Sequence, residues 1–227
     1  MNASTLVFAG GISLIGGALA FVGVFVYLAA KFSYPRILDG GAEQVLPRLR
    51  AGGARMRATW AIYSLLPLLL VIGAFGTYAA LRSSREAMLL ALVLASIGSL
   101  SMSLGLMRWP SVHWELARAW ESAGTDARHG IGATFTGLNL YLGNYIGEFL
   151  GELCIGGFLL LSGFALRGEW DFPGWLSVVG VVFAVLFIIG AFRNVTPRVR
   201  RIAGLNNYLL PAWMIVLGGA ILRYRLS

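Results

Sequence analysis

Apolar residues fill six long stretches of this chain, and charged residues are nearly confined to the segments between those stretches. A helix of about 20 apolar residues is long enough to cross the roughly 30 Å of hydrocarbon in a bilayer. The stretches predict membrane-spanning helices at residues 6–30, 58–81, 87–107, 131–166, 174–192 and 205–222. We therefore predict an all-α, polytopic membrane helix bundle in which residues 1–227 form a single transmembrane domain.

The composition leads to the same class of protein. Of the 227 residues, 58% are hydrophobic and 12% are charged, which leaves too little polar surface to cover a water-soluble globule of this size. The one cysteine, Cys154, cannot form an intrachain disulfide or a cysteine-based metal cage. We expect the lipid bilayer to surround the protein, and we predict no metal and no cofactor.

The distribution of basic residues predicts the orientation of the chain. Thirteen of the 18 lysines and arginines fall in the first, third and fifth connections, and the other five lie in the second and fourth connections and at the C-terminus. Short basic loops remain in the cytoplasm. We expect both termini on the non-cytoplasmic side of a bacterial inner membrane. The net charge of +8 reflects this loop pattern and predicts no nucleic-acid partner.

The third connection carries a short amphipathic pattern. Val112, Leu116 and Trp120 recur at helical spacing, and Gly124 is placed to end the helix. Such a pattern is typical of a helix that lies in the headgroup plane. We therefore predict a short cytoplasmic interfacial helix from Ser111 to Ala123.

Four tryptophans lie near the ends of predicted spans. They are Trp60, Trp109, Trp170 and Trp175. Because amphipathic rings are enriched at the membrane–water interface, we expect all four to act as lipid anchors.

Rows of small residues predict close contacts between helices. Ser13 and Gly17 are four residues apart in the first span, and Gly143, Gly147 and Gly151 repeat that spacing in the fourth. Small side chains let helix backbones approach closely in lipid. These rows are candidate packing surfaces within the chain, in a homo-oligomer or against a larger membrane complex.

The fourth apolar region is too long for one straight crossing. A helix over its 36 residues would measure about 54 Å at roughly 1.5 Å per residue, well beyond the bilayer. The helix must therefore protrude or break, and its glycines favour a break near Gly143. Unwound backbone at this depth needs protein or water to satisfy it.

Polar residues recur along this same region. Asn144, Glu148 and Glu152 follow one another at intervals of four, which places them on one helical face. Tyr141 and Tyr145 stand on adjoining positions, from which their hydroxyls would donate hydrogen bonds to the carboxylates. Intramembrane acids cost about 2.5–3.5 kcal/mol each on insertion scales and usually serve a proton path, an ion site or a specific partner. We predict that these five residues form a site for a proton, a cation or a cationic solute.

Two alternatives give the carboxylates no ligand. Hydroxyls, amides or an arginine from another span would make them polar contacts between helices. If the spanning helix begins near Gly147, both acids would instead lie in its first turns, close to cytoplasmic water and the positive helix end. The function therefore remains open between a proton or solute site, an accessory or scaffold subunit, and a cofactor-binding protein or enzyme.

The last of these classes lacks a sequence motif. His113 and His129 both fall in the third connection, whereas paired haem ligation would place histidines on facing helices within the bundle. The chain contains no metalloprotease helix, phosphate-binding loop or nucleophile elbow. We predict no catalytic residue. The two carboxylates with His129 nearby would be the best candidates if the protein were an enzyme.

Four segments carry proline, tryptophan and glycine markers within apolar runs: RMRATWAIYSLLPLLLVIGAFGTYAALR (55–82), GELCIGGFLLLSGFALR (151–167), FPGWLSVVG (172–180) and LPAWMIVLGGAIL (210–222). In these segments the chain resembles an uncharacterised family of six-helix bacterial membrane proteins known only as a domain of unknown function. The chain departs from the family pattern beside Trp175, where it has Gly174 and Ser177 in place of a basic residue and a glycine. The resemblance implies a six-helix bundle and no particular activity.

Overall fold

A computed structural model describes residues 2–226, apart from the side chains of Asp39 and Leu226. Six helical segments in this part of the chain are long and apolar enough to cross a membrane. They are Ala3–Phe32, Gly53–Ala80, Arg85–Ser122, Thr125–Leu166, Gly174–Asn194 and Pro197–Arg225. The predicted all-α bundle with six candidate spans is confirmed, and the third and sixth segments extend furthest beyond their predicted bounds.

Ten α-helices form these segments and the first connection of the described chain. They are α1 (Ala3–Phe32), α2 (Ala42–Ala51), α3 (Gly53–Leu65), α4 (Leu69–Ala80), α5 (Arg85–Met107), α6 (Val112–Ser122), α7 (Thr125–Leu138), α8 (Gly151–Leu166), α9 (Gly174–Ala191) and α10 (Arg200–Leu226). A 3-10 turn at Leu66–Leu68 joins α3 to α4. Pro67 accounts for this turn, since proline lacks the amide hydrogen that an α-helix requires.

The spanning helices pack through close approaches of small residues. Helix α1 packs against α4 and α10, and α8 packs against α5 and α9. A Cβ placed on Gly76 of α4 would lie 2.5 Å from the Cα of Gly10, and one on Gly163 of α8 would lie 3.1 Å from the carbonyl carbon of Gly180. Backbones this close leave no room for a side chain.

A second core fills one end of the bundle. We call this the basic end, defined by residues 33–52, 108–124 and 192–199, because most of the lysines and arginines lie in or beside these segments. Helices α2, α6 and α7 pack on one another there. Trp60 and Trp109 are fully buried in this layer, and their rings stack 4.8 Å apart. Our expectation that these two tryptophans anchor the protein in lipid is therefore wrong.

The other two tryptophans have the expected exposure. Trp170 is 94% exposed and Trp175 is 57% exposed. Their contact with lipid remains a prediction.

Helix α6 forms where the amphipathic pattern predicts a helix. Leu116 and Trp120 of the predicted face are partly buried against the core, whereas Val112 is 40% exposed. The buried residues are His113, Trp114 and Ala117. The physical reason is that α2 and α7 cover this helix with protein, so the side with the aromatic rings faces inward. The buried His113 ring packs between Trp109 and Phe135.

The fourth span does not break near Gly143. Residues Thr125–Leu166 form one continuous helical segment whose winding loosens to a π-helix over Asn139–Leu150. The excess length protrudes as α7 into the layer of α2 and α6. Stretches of π-helix inside longer helices are uncommon and often occur at functional sites, and this one carries Asn144 and Glu148.

Candidate functional site

Glu148 and Glu152 both point into the protein at the basic end. Glu148 lies near the end of the π-helical stretch, and Glu152 lies in the first turn of α8. The Glu152 side chain is 9% exposed and that of Glu148 is 28% exposed. The interval of four residues thus brings both carboxylates to the same side of the helix, facing the end of α9 and the start of α10.

A single guanidinium binds both carboxylates. Arg193, in the 3-10 turn that ends α9, donates from Nε to Oε2 of Glu148 at 3.0 Å and from Nη2 to Oε1 of Glu152. Its side chain is 19% exposed. Arg193 therefore occupies the position that a bound cation would take between two acids.

Asparagine side chains complete the set of donors. Asn194 donates to Oε2 of Glu148 at 2.8 Å and to the backbone oxygen of Asn144 at 2.9 Å. Asn206 of α10, itself buried, donates to Oε2 of Glu152 at 2.7 Å. A Cβ on Gly190 would lie 2.5 Å from the Asn206 amide nitrogen, so this approach depends on the glycine. We call Glu148, Glu152, Arg193, Asn194 and Asn206 the charged cluster.

The predicted partners of the acids lie elsewhere. Tyr141 is 63% exposed and Tyr145 is 41% exposed. Neither makes the expected hydrogen bond to a carboxylate in the described part of the chain, and the Tyr145 ring packs against Phe149. The π-helical winding over Asn139–Leu150 has more residues per turn than an α-helix, so positions three and seven residues before Glu148 do not share its face. Asn144 stays in the row of the acids and lines the same space.

The charged cluster opens into a cavity of about 330 Å³. Both carboxylates, Arg193 and Asn194 line it. Other lining residues come from α1, α3, α5, α10 and the segments that follow α1 and α5, and they include the aromatic side chains of Phe21, Tyr34, Tyr63 and Trp109. A cavity therefore reaches the carboxylates, which also have direct bonding partners.

Arg108 forms a second buried cation in this cavity. It is 5% exposed, and it donates from Nε to Asn139 at 3.1 Å and from Nη1 to the backbone oxygen of Gly105. Its guanidinium lies 5.1 Å from the centre of the Trp109 ring. A Cβ on Gly143 would lie 2.5 Å from its Nη2, so Gly143 makes room for this arginine.

The other glycines of that row pack against α5. A Cβ on Gly147 would lie 3.0 Å from the Cα of Gly105, and one on Gly151 would lie 2.7 Å from the side chain of Met102. In the first span Ser13 donates to the backbone oxygen of Leu69 at 2.8 Å. Gly17 faces the same helix, where its Cβ would lie 3.3 Å from Leu69. All of these small residues thus contact neighbouring helices of the same chain.

A separate ionic group links three chain segments at the end of the bundle opposite the basic end. Arg225 of α10 pairs with Glu169 and Asp171 and donates to the backbone oxygen of Ala80 at 2.7 Å. Glu169 also accepts from the backbone amide of Ser83 at 2.7 Å. Burial acts to raise the pKa of Glu169, but the Ser83 hydrogen bonds and the charge of Arg225 outweigh it and lower the pKa below its usual value. We call Arg225, Glu169 and Asp171 the outer ion group.

Residues 9–221 match the family model described as a domain of unknown function, DUF4386. The match covers most of the chain, so the protein belongs to this family. No curated protein and no solved structure matches the chain. The resemblance to an uncharacterised family is therefore confirmed, and it assigns no activity to the charged cluster.

Proposed function

We propose that this family member carries an intramembrane site at which Glu148 and Glu152 take up and release protons as part of proton or solute movement. The observation that carries the proposal is that one guanidinium binds a buried and a partly buried carboxylate beside a cavity. Buried acids of multi-pass membrane proteins commonly belong to such paths because they are costly to retain otherwise.

Of the ligands considered from the sequence, the proton agrees best with the geometry. A metal-sized cation or a cationic solute would have to displace Arg193, which already binds both acids. A proton displaces nothing, because it adds to an oxygen of a carboxylate. A proton on either acid would leave one carboxylate for Arg193, which is a balanced ion pair.

The cavity supplies the route for this exchange. Glu148 is partly exposed toward it, whereas Glu152 lies deeper and is held by Asn206. Protonation of Glu148 would weaken the bonds that it accepts from Arg193 and Asn194, both of which belong to the turn after α9. The same event would therefore loosen the contact between the fourth and fifth spans.

The test uses purified protein in liposomes that contain a pH-sensitive dye. Glu148→Gln and Glu152→Gln keep the size of the side chain and remove its charge, and Glu43→Gln is the control because Glu43 is an exposed carboxylate outside the cluster. We expect the wild type and the control to show pH-dependent flux and both cluster variants to lose it while remaining folded. Unchanged flux with altered stability would assign the acids to helix packing, and a wild type without flux would contradict the proposal.

We also propose that the protein resides in a bacterial inner membrane with the basic end in the cytoplasm. The count of 13 basic residues in connections one, three and five against five elsewhere supports this orientation. Lys31 is the only lysine among the 18 basic residues, a bias that is typical of GC-rich bacterial genomes.

The alternative proposal is an accessory subunit that associates with copies of itself or with a larger complex. Its support is that Gly16 and Gly23 lie on the outside of α1, where a Cβ would meet no atom of the chain within 4 Å. Small exposed residues allow helices of separate chains to approach. The mass of the gently solubilised protein, measured by light scattering, tests this, and a single chain without partners would argue against it.

A further inference from the structure

We infer that the cavity at the basic end binds an anion, a carboxylate or phosphate group attached to an apolar part, on Arg108 and Arg200. This inference rests on the proposed function, since it names the solute class of the same cavity. The proton site rests on the two carboxylates and the anion site on the two arginines, so their roles can be tested by separate substitutions.

Arg108 is the anchor of this anion site. Its side chain is 95% buried, lines the cavity and has no carboxylate within ion-pair distance among the side chains that the structure describes. Its Nε and Nη1 donate to Asn139 and to the backbone of Gly105, while Nη2 makes no hydrogen bond in the described part of the chain. Glu148 attracts this guanidinium electrostatically without contacting it. A buried charge without a contacting counter-ion is unfavourable, and an anion bound directly to Arg108 would reduce that penalty.

The charge of the wall also favours an anion. Four arginines and two glutamates are among the described residues that line the cavity, which gives it a net charge of +2. Arg193 is bound to the two acids, so Arg36, Arg108 and Arg200 carry the excess. Guanidinium groups match the geometry of carboxylate and phosphate oxygens through paired hydrogen bonds.

The rest of the wall indicates that the ligand is not a bare inorganic ion. Tyr34, Tyr63 and Trp109 are buried or partly buried and line the side of the cavity near Arg108. The volume of about 330 Å³ lies at the lower end of the range for small-molecule sites, which are mostly apolar with a few placed polar groups. Both a small aromatic acid from water and the headgroup region of an anionic lipid have this chemistry.

The two sites are electrically linked. Glu148 lines the same cavity, so its carboxylate and a bound anion would repel each other. We therefore expect Glu148→Gln to raise the affinity for the anion. This link would couple the anion to the proposed proton site.

The experiment titrates the full-length protein in neutral detergent with benzoate and measures the dissociation constant by calorimetry. Arg200→Gln removes a cation that lines the cavity, and Arg201→Gln is the matched control because it removes the adjacent exposed arginine, which does not line it. We expect Arg200→Gln and Arg108→Gln to weaken binding by about threefold to tenfold, the loss of one charge-assisted contact, and Arg201→Gln to have no effect. If Arg108→Gln does not fold, the comparison of positions 200 and 201 decides.

A second arm identifies the source of the anion. The same variants are placed in nanodiscs of phosphatidylcholine with or without phosphatidylglycerol, and bound lipid is measured by native mass spectrometry. Retention of phosphatidylglycerol that depends on Arg200 and not on Arg201, with no benzoate binding, would identify a lipid headgroup as the ligand. Absence of both ligands from the wild type, or equal loss at positions 200 and 201, would overturn the inference. Loss of anion binding in Arg200→Gln with pH-dependent flux intact would leave the proton proposal standing, whereas loss of flux in Glu148→Gln with anion binding intact would leave the anion site standing.

Discussion

Replacing Arg193 by glutamine is expected to destabilise the protein substantially, because it leaves two carboxylates without their common cation. Breaking a buried ion pair by removing one partner costs roughly 3–5 kcal/mol. The Glu148 side chain is 28% exposed and is partly screened by water, whereas the Glu152 side chain is 9% exposed. We therefore expect a loss near the lower limit of that range, about 3 kcal/mol of unfolding free energy.

The assay is reversible unfolding in mixed detergent micelles, followed by far-ultraviolet circular dichroism. Arg198→Gln is the control, because Arg198 is an exposed arginine five residues along and should stay within about 0.5 kcal/mol of the wild type. Adding Glu152→Gln to Arg193→Gln should restore part of the loss, since it removes the buried charge that Arg193 would have neutralised.

Two results would refute this account of the charged cluster. The first is an Arg193→Gln variant as stable as Arg198→Gln, which would mean that water already compensates both acids. The second is a double variant whose loss of unfolding free energy equals the sum of the losses in the two single variants, which would mean that Arg193 and Glu152 do not interact. Residues in direct contact normally show coupling of about 0.5–3 kcal/mol.

Three further predictions concern other parts of the fold. A cysteine at Ser4 should react with an impermeant thiol reagent in intact cells, whereas a cysteine at Ser122 should react only after lysis, and the reverse pattern would invert the proposed orientation. Ala117→Glu should lower stability in detergent by several kcal/mol, on the order expected for a buried unpaired charge. Val112→Glu, on the exposed side of α6, should leave stability nearly unchanged, and equal effects of the two substitutions would contradict the buried face that we describe. The pKa of Glu169 is lowered in the folded protein, so this carboxylate should stabilise the fold above its usual pKa. That stabilisation should be lost as the pH falls through the lowered pKa, and Glu169→Gln should remove this pH dependence from unfolding curves.

The spans were predictable from the sequence because lipid imposes one demand on all of them. Every backbone amide in hydrocarbon must be bonded within its own helix, so uninterrupted apolar length is nearly sufficient to locate a span. The rows at Ser13 and Gly147 followed from the same demand, since small residues are needed where backbones touch. These features depend on neighbours in the sequence and on a uniform solvent.

The tertiary partners were not predictable, because they depend on contacts between distant segments. Trp60 and Trp109 stand at span ends, where the interface is the ordinary location, yet a layer of α2, α6 and α7 covers both of them. The helix that we expected to break at Gly143 continues, because the glycine there accommodates Arg108 of another span. No local pattern distinguishes a glycine that breaks a helix from one that admits a neighbour.

The acids were found by their spacing, but their partner was missed for a specific reason. Arg193 follows an apolar stretch and precedes a basic loop, so it was grouped with the charges that set topology. The alternative that an arginine from another span would bind the acids describes the contact that is observed. Two acids within a span should therefore prompt a search for a basic residue at every span end on the same side, and in this chain Lys31, Arg57, Arg108 and Arg193 are among the candidates.

Assigning some arginines to contacts within the fold affects the charge count that predicts which side of the membrane the cavity faces. Arg108 and Arg193 at the basic end and Arg225 at the opposite end are tied to the folded bundle, and leaving them out changes the count of basic residues from 13 against five to 11 against four. Basic residues act on orientation during insertion, before such contacts form, so both counts are relevant and both favour the proposed orientation, with the basic end in the cytoplasm. We therefore expect Glu148 to exchange protons with the cytoplasm, while Glu169 in the outer ion group responds to the pH outside. Acidifying only the exterior of sealed vesicles should then affect the Glu169 contact and leave the charged cluster unchanged.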